Sequence, residues 1–281
     1  MTTMQIRDVS LFVRTVGEGY PLVLMHGGPS QDYTSLLALE PCADQFTLIF
    51  YDHRCNGHSE GAEVSSMTWE NLTADAEALR QTLGFEKWAV LGHSFGGNVA
   101  LEYTLRYPGS LSHLVLMNTG ADYWWAQENA AEILAKRGYS ASAVQAVRRF
   151  FNGQLTPAEF TPTFMKFMTA YFYRINWLKM AGEVLLGPRP KIRPEALIFA
   201  GSQLLNGWTV MDRLSEIQVP TLVLAGRQDF LYPPEHQAIL ADRLPNAQLV
   251  LVERAGHNPH MERPLEVIEA LRHFISPAAR S

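Results

Sequence analysis

Apolar positions along the chain first alternate and then gather into runs. Alternation at Gln5-Ile6-Arg7 and Leu11-Phe12-Val13, ending at Gly17-Glu18-Gly19, predicts two short antiparallel strands joined by a turn. Residues 21–25 form a continuous apolar run that stops at Gly27-Gly28-Pro29. Such a run suits a strand covered on both faces, as in a parallel sheet flanked by helices. The signal recurs at 46–51, 88–91, 114–117, 221–225 and 249–252. Helical spacing separates several of these runs. Leu72, Ala76, Leu79 and Leu83 are stopped by Gly84, and Val99, Ala100, Tyr103 and Leu105 by Pro108-Gly109. Strands alternating with helices predict an α/β core on a mostly parallel, eight-stranded sheet.

The alternation fails between 120 and 206, where helical patterns cover 122–137, 141–151, 159–173, 177–186 and 194–205. Pro157, Pro162, Gly187-Pro188 and Pro190 punctuate them, and aromatic residues are dense throughout. The expected organisation is a core formed by 1–119 and 207–281, with a helical cap, 120–206, inserted after the sixth strand.

The chain has 281 residues, 47% hydrophobic, with a formal net charge of −5. A mildly acidic chain with scattered Lys and Arg gives no electrostatic reason to expect nucleic acid or an anionic membrane as partner. Cys42 and Cys55 are too few for a disulfide framework, so reduced thiols are expected. The first eight residues lack a basic segment leading into an apolar run, and no stretch reaches the ~18 apolar residues of a membrane helix. The expectation is a cytoplasmic protein. No His-x-x-x-His or Cys-x-x-Cys spacing occurs, so neither a metal nor an organic cofactor is expected.

The chemistry concentrates at Trp88 to Gly97, a strand followed by Gly92-His93-Ser94-Phe95-Gly96 and then a helix. In this nucleophile-elbow pattern a sharp turn lifts the serine Oγ clear of the sheet. The flanking glycines must be small because a Cβ would strike the neighbouring strand or helix. A helix starting at Phe95 directs its dipole and free N–H groups at a developing oxyanion. By itself the motif is also an ordinary Gly-rich βα turn; acid and histidine candidates following in the order Ser, Asp, His give it chemical meaning.

Asp229, in the loop Gly226-Arg227-Gln228-Asp229 after a buried run, is the acid, with Asp122 in reserve. Asp242 reads as a solvent-facing helix residue. His257, freed by Gly256, is the base, and His260 its competitor. His93 reads as packed beneath the elbow and His26 as a buried hydrogen-bonding residue. The remaining histidines, His53, His58, His113, His236 and His273, read as surface or helix positions. The backbone N–H groups of Gly28 and Phe95 are the expected oxyanion donors.

Taken together, Gly-His-Ser-Phe-Gly-Gly, Gly-Arg-Gln-Asp, Gly-His-Asn-Pro-His-Met-Glu-Arg-Pro and Asp52 to Ser59 resemble the α/β-hydrolase superfamily over essentially the whole chain. The resemblance implies a triad, an oxyanion hole and a pocket between sheet and cap. Within it, His26-Gly27-Gly28-Pro29 is similar to the proline iminopeptidase branch, with Ser30 at a customary glycine. The segment Asp52 to Ser59 is closer to esterases and enol-lactonases, with Cys55 at a customary glycine.

The expected reaction is hydrolysis of a small-molecule carboxylic ester or lactone through an acyl-enzyme. Tyr123, Trp124, Trp125 and Tyr173 are the expected lining of an apolar substrate pocket. The alternative, an aminopeptidase, would use cap carboxylates for the substrate ammonium: Glu128, Glu132, Glu159 or Glu183. Each of these also reads as a solvated helix face. A third reading is a ligand receptor that keeps the pocket and the triad without turnover.

Overall fold

The computed structural model describes residues 2–275. Its sheet is built from β1 (Thr2–Ile6), β2 (Val9–Val16), β3 (Tyr20–Met25), β4 (Phe46–Tyr51), β5 (Trp88–His93), β6 (Leu111–Met117), β7 (Thr221–Gly226) and β8 (Ala247–Val252). Their order across the sheet is β1-β2-β4-β3-β5-β6-β7-β8. The β1–β2 and β2–β4 pairs are antiparallel, and every other pair is parallel. The predicted N-terminal hairpin is therefore the antiparallel edge of an otherwise parallel sheet.

The continuous apolar runs are explained by the two layers that cover them. Leu22, Leu24, Leu48, Phe50, Leu91, Val115 and Leu224 face one core with the 33–44 helical turns and α10 (Pro264–Ile275). Val23, Met25, Ile49, Val90, Leu114, Leu116 and Val223 face the other. There α1 (Trp69–Thr82), α2 (Phe95–Arg106) and α8 (Pro234–Arg243) cover the sheet. Successive strand residues alternate between the two cores, so neither face could have been polar.

Between β6 and β7 lie α3 (Trp124–Lys136), α4 (Ala141–Phe151), α5 (Pro157–Phe164), α6 (Trp177–Leu186) and α7 (Pro194–Phe199). The Asp122 carboxylate caps α3 by accepting from Trp125 N at 2.9 Å. Phe150 organises the interior of this insertion, with ring centroids 5.2–5.7 Å from Phe151, Phe160, Phe164 and Phe167. Aromatic pairs of this kind contribute about 0.5–1.5 kcal/mol each beyond area burial.

One predicted helix differs. The 159–173 pattern ends at Phe164, and a tight 3-10 turn, Met168–Tyr171, follows. Pro162 lies inside α5 and cannot donate to the helical ladder, which limits its length. The 194–205 pattern likewise passes from α7 into a wider π turn at Ala200–Leu204. Among the described residues no helix is long and apolar enough to cross a membrane.

Candidate active site

The elbow is built as its glycines require. Ser94 sits at φ 53°, ψ −119°, between β5 and α2. A side chain on Gly92 would run into the Gly96 backbone, and one on Gly96 into the carbonyls of Met25 and His26. The strained serine is held from outside the turn: its N–H donates to Met117 O at 3.0 Å, and its carbonyl accepts from Thr119 Oγ1 at 2.7 Å. A non-glycine residue at positive φ costs on the order of 1–3 kcal/mol and persists only where such contacts fix it.

The loops after β7 and β8 bring Asp229 and His257 to this serine. His257 Nε2 is 2.9 Å from Ser94 Oγ, and its Nδ1 is 2.9 Å from Asp229 Oδ2. A carboxylate only accepts, so Nδ1 carries the proton and Nε2 is left to accept from the hydroxyl. Asp229 is fully buried, and Leu231 N also donates to its Oδ1 at 2.9 Å.

His260 is excluded from this line. Its Nε2 donates to Ser35 O at 2.9 Å, and its ring packs on His93 at 4.8 Å. Asp122 is also elsewhere, its Oδ2 lying 3.2 Å from His236 Nε2. Burial would raise the Asp122 carboxyl, but hydrogen bonds from His236 and Trp125 N outweigh it and hold it below its ordinary value.

His93 lies beneath the elbow, buried, with Nε2 donating to the His257 carbonyl at 3.0 Å. Burial, reinforced by neighbouring imidazoles, pushes its pKa well below the ordinary histidine value, so it stays a neutral packing element. His26 is buried too, with Nε2 accepting from His53 N at 3.2 Å. His53 corrects the surface reading: it is buried, tilted against His26 and edge-on to Tyr51 and Phe95. His236 is likewise buried on α8, against Trp125 and Tyr232.

The Gly27-Gly28 turn lies directly beside Ser94, since a Cβ at Gly27 would be 3.1 Å from Ser94 Cβ. Gly28 adopts φ +50°, the left-handed region that glycine enters without penalty. This turn is anchored by the end of the insertion. Arg193 N donates to Ser30 O at 2.8 Å, and Lys191 N to the buried Asp32 carboxylate at 2.7 Å. Cys55, at the position where glycine was customary, also takes a left-handed conformation, φ 64°.

The four aromatic positions expected to line a pocket part company. Tyr123 is buried with its hydroxyl donating to Phe151 O at 3.0 Å, and Trp125 packs against His236. Trp124 is 61% exposed and Tyr173 50% exposed. None of the four is in ring contact with His257; besides His93 beneath it, at 5.2 Å, its ring neighbours are Tyr171, edge-on at 5.3 Å, and Tyr232, at 6.4 Å. Burial raises both phenols well above their ordinary value, so these walls are uncharged.

Of the carboxylates expected for an aminopeptidase, Glu128 is exposed and Glu132 lies 3.8 Å from Lys136 on the outer face of α3. Glu159 caps α5 through Thr156 N and pairs with Arg149. The side chain of Glu183 lies outside the described residues.

Sequence reasoning missed Asn118. Its Nδ2 donates to Asp229 Oδ2 at 2.9 Å and to Gly256 O at 3.2 Å, while its Oδ1 accepts from Gly226 N at 3.3 Å. One amide thus holds the Asp229 carboxylate and the His257 loop together. Its only local signal was a non-glycine residue in the left-handed region, φ 47°, immediately after β6. Such strain is invisible in a sequence.

A family model for the α/β hydrolase fold matches residues 20–264. A proline iminopeptidase of Pestalotiopsis fici is 26% identical over 278 residues, covering 96% of this chain and 97% of that protein. A pimeloyl-[acyl-carrier protein] methyl ester esterase of Nitrosomonas europaea is 25% identical over 265 residues, covering 92% and 97%. Among solved structures, an α/β fold family hydrolase from Bacillus anthracis superposes with a TM-score of 0.80 at 20% identity, covering 98% of each chain. The elbow, the strand order and a family match that runs from β3 to the start of α10 agree: this chain belongs to the α/β-hydrolase fold family.

Proposed function

We propose that this protein is a serine hydrolase that cleaves a carboxylic ester or lactone through an acyl-enzyme. The observation that carries the reading is the continuous line Ser94 Oγ, His257 and Asp229, with both links at 2.9 Å and the serine on a strained elbow. Ser94 attacks the carbonyl while His257 Nε2 takes its proton. The N–H groups of Gly28 and Phe95 receive the oxyanion. His257 then returns the proton to the departing alkoxide oxygen, and a water activated by the same imidazole releases the acid. In a lactone the leaving oxygen stays tethered to the acyl group, and the chemistry is otherwise unchanged.

The insertion acts as the cap over this site, with Tyr171 and Tyr232 beside His257, and Phe230 against Tyr171, forming an apolar wall. Neutral aromatic walls favour uncharged substrates, because an unpaired charge there would be costly to desolvate. An aminopeptidase would require a carboxylate fixed toward the substrate amine. Glu128, Glu132 and Glu159 are exposed or engaged in helix capping, which supports the ester reading. The relatives named above include both an ester hydrolase and a proline iminopeptidase, so the two activities must be compared directly.

Measured as kcat/KM, a short-chain aryl ester should exceed a Pro-arylamide. A tenfold advantage for the Pro-arylamide, about 1.4 kcal/mol in the transition state, would transfer the assignment to the peptidase. His257→Gln should abolish turnover, whereas His260→Gln, whose Nε2 is committed to Ser35 O and whose ring packs on His93, should keep most of it. The opposite ranking would give the base role to His260.

A further inference from the structure

We infer that Glu262 is a positioning residue that ties the loop of the base His257 to the insertion, making cap placement and imidazole alignment one event. The inference rests on the triad proposed above.

The starting observation is the hydrogen bonding of two consecutive peptide units. All four polar backbone groups of Gly256 and His257 have partners. Two partners come from the core: Asn118 Nδ2 donates to Gly256 O at 3.2 Å, and His93 Nε2 to His257 O at 3.0 Å. The other two involve the insertion. His257 N donates to Tyr171 O at 2.8 Å, and Gly256 N to Glu262 Oε2 at 2.7 Å. The same Oε2 accepts from Tyr173 N at 3.2 Å, and Oε1 accepts from Arg174 N at 3.0 Å. One carboxylate, at the end of α9 (Pro259–Glu262), thus gathers three backbone N–H groups, one from the histidine loop and two from the insertion.

The contact leaves no slack. A Cβ on Gly256 would lie 2.7 Å from Tyr171 O and 2.9 Å from Phe172 Cα, so the two segments touch through bare backbone. Tyr171 then lays its ring on both His257 and Phe230. Without the carboxylate, the 171–174 segment and the 256–257 segment would retain a single direct hydrogen bond between them, His257 N to Tyr171 O. The imidazole could then rock about that bond. Because charge-assisted bonds are shorter and stronger than neutral ones, a carboxylate is the group suited to holding three donors at once.

The consequence is specific to catalysis. Serine activation needs Nε2 within hydrogen-bond reach of Oγ, and a misplacement of about 1 Å can cost on the order of a hundredfold in rate. A loosened base loop should therefore lower the chemical step, while ground-state binding of a small ester is little affected.

The test uses the full chain with Glu262→Ala and Glu262→Gln. The readouts are steady-state kinetics on a short aryl ester and the rate at which a fluorophosphonate labels Ser94, both normalised to titrated active sites. Glu262→Ala should lower kcat and the labelling rate about tenfold to a hundredfold, with KM within about threefold of the parent. Glu262→Gln should recover most of the loss, since its amide oxygen can still accept from Gly256 N and Tyr173 N. A merely structural glutamate would lower the melting temperature without moving kcat per titrated site, and that outcome would overturn the proposal. So would a loss confined to KM, or a Gln variant no better than Ala. If Glu262→Ala does not fold, Glu262→Asp, too short to span both segments, is judged by the same criteria. Failure of the parent protein to label at Ser94 would remove the triad assignment itself. Normal labelling of the parent with equal labelling of the variants would remove only the role of Glu262.

Discussion

Replacing Asp229 with Asn should lower kcat/KM by about ten-thousand-fold while the protein remains folded. The size of the effect follows from the hydrogen bonds around this side chain. In the parent, Oδ2 accepts from both His257 Nδ1 and Asn118 Nδ2, and Oδ1 accepts from Leu231 N. An amide in the same place has one acceptor and one donor. With its NH2 in the Oδ2 position, it faces the Asn118 NH2 and forces His257 into the tautomer that protonates Nε2, which can no longer accept from Ser94. With its NH2 in the Oδ1 position, it opposes Leu231 N–H. Asn118 cannot relieve the conflict by flipping, because its own amide is oriented by Gly226 N and Gly256 O. Each arrangement leaves a buried donor unsatisfied, at about 1–3 kcal/mol. In the first arrangement the tautomer adds the larger, catalytic loss, and in the second the negative charge that stabilises the imidazolium is gone. Near-parental kcat/KM in this variant would contradict the assignment of the acid; Asp122, engaged with His236, would then need re-examination.

Ser94→Ala should remove fluorophosphonate labelling altogether and lower ester turnover by at least about ten-thousand-fold. Some rate above solution hydrolysis can persist from the oxyanion donors alone. The fold should tolerate the change. The serine side chain contributes one bond, to His257, whereas the strained backbone is held by Met117 O and Thr119 Oγ1, neither of which touches Oγ. Labelling at another residue at the parental rate would mean that the nucleophile lies elsewhere.

What the sequence alone determined is what short-range chemistry determines. The elbow could be read because its tightest constraint lies within five residues: a Cβ at Gly92 would strike the Gly96 backbone inside the turn itself, while the clash at Gly96 needs Met25 and His26 of the neighbouring strand end. The strands could be read because a run apolar at every position has only one stable environment, between two covering layers. The order Ser94, Asp229, His257 along the chain, each after a strand, gave the triad candidates without coordinates. It could choose His257 over His260 only by the neighbouring glycine.

Tertiary structure decided the rest, because the deciding partners are far apart in the chain. Asn118 meets Asp229 across 111 residues, and Glu262 meets Tyr173 across 89. No periodicity links such pairs. The aromatic wall shows the same limit. Composition marked the insertion as rich in rings, but Trp124 turns out to be 61% exposed, while Tyr171, on a turn that forms after α5 has ended at Phe164, packs on His257. Hydrophobicity specifies that a ring will be buried somewhere. Which ring packs on His257 depends on how the insertion is set against the core, and that is fixed by backbone contacts such as Tyr171 O to His257 N and by the carboxylate of Glu262.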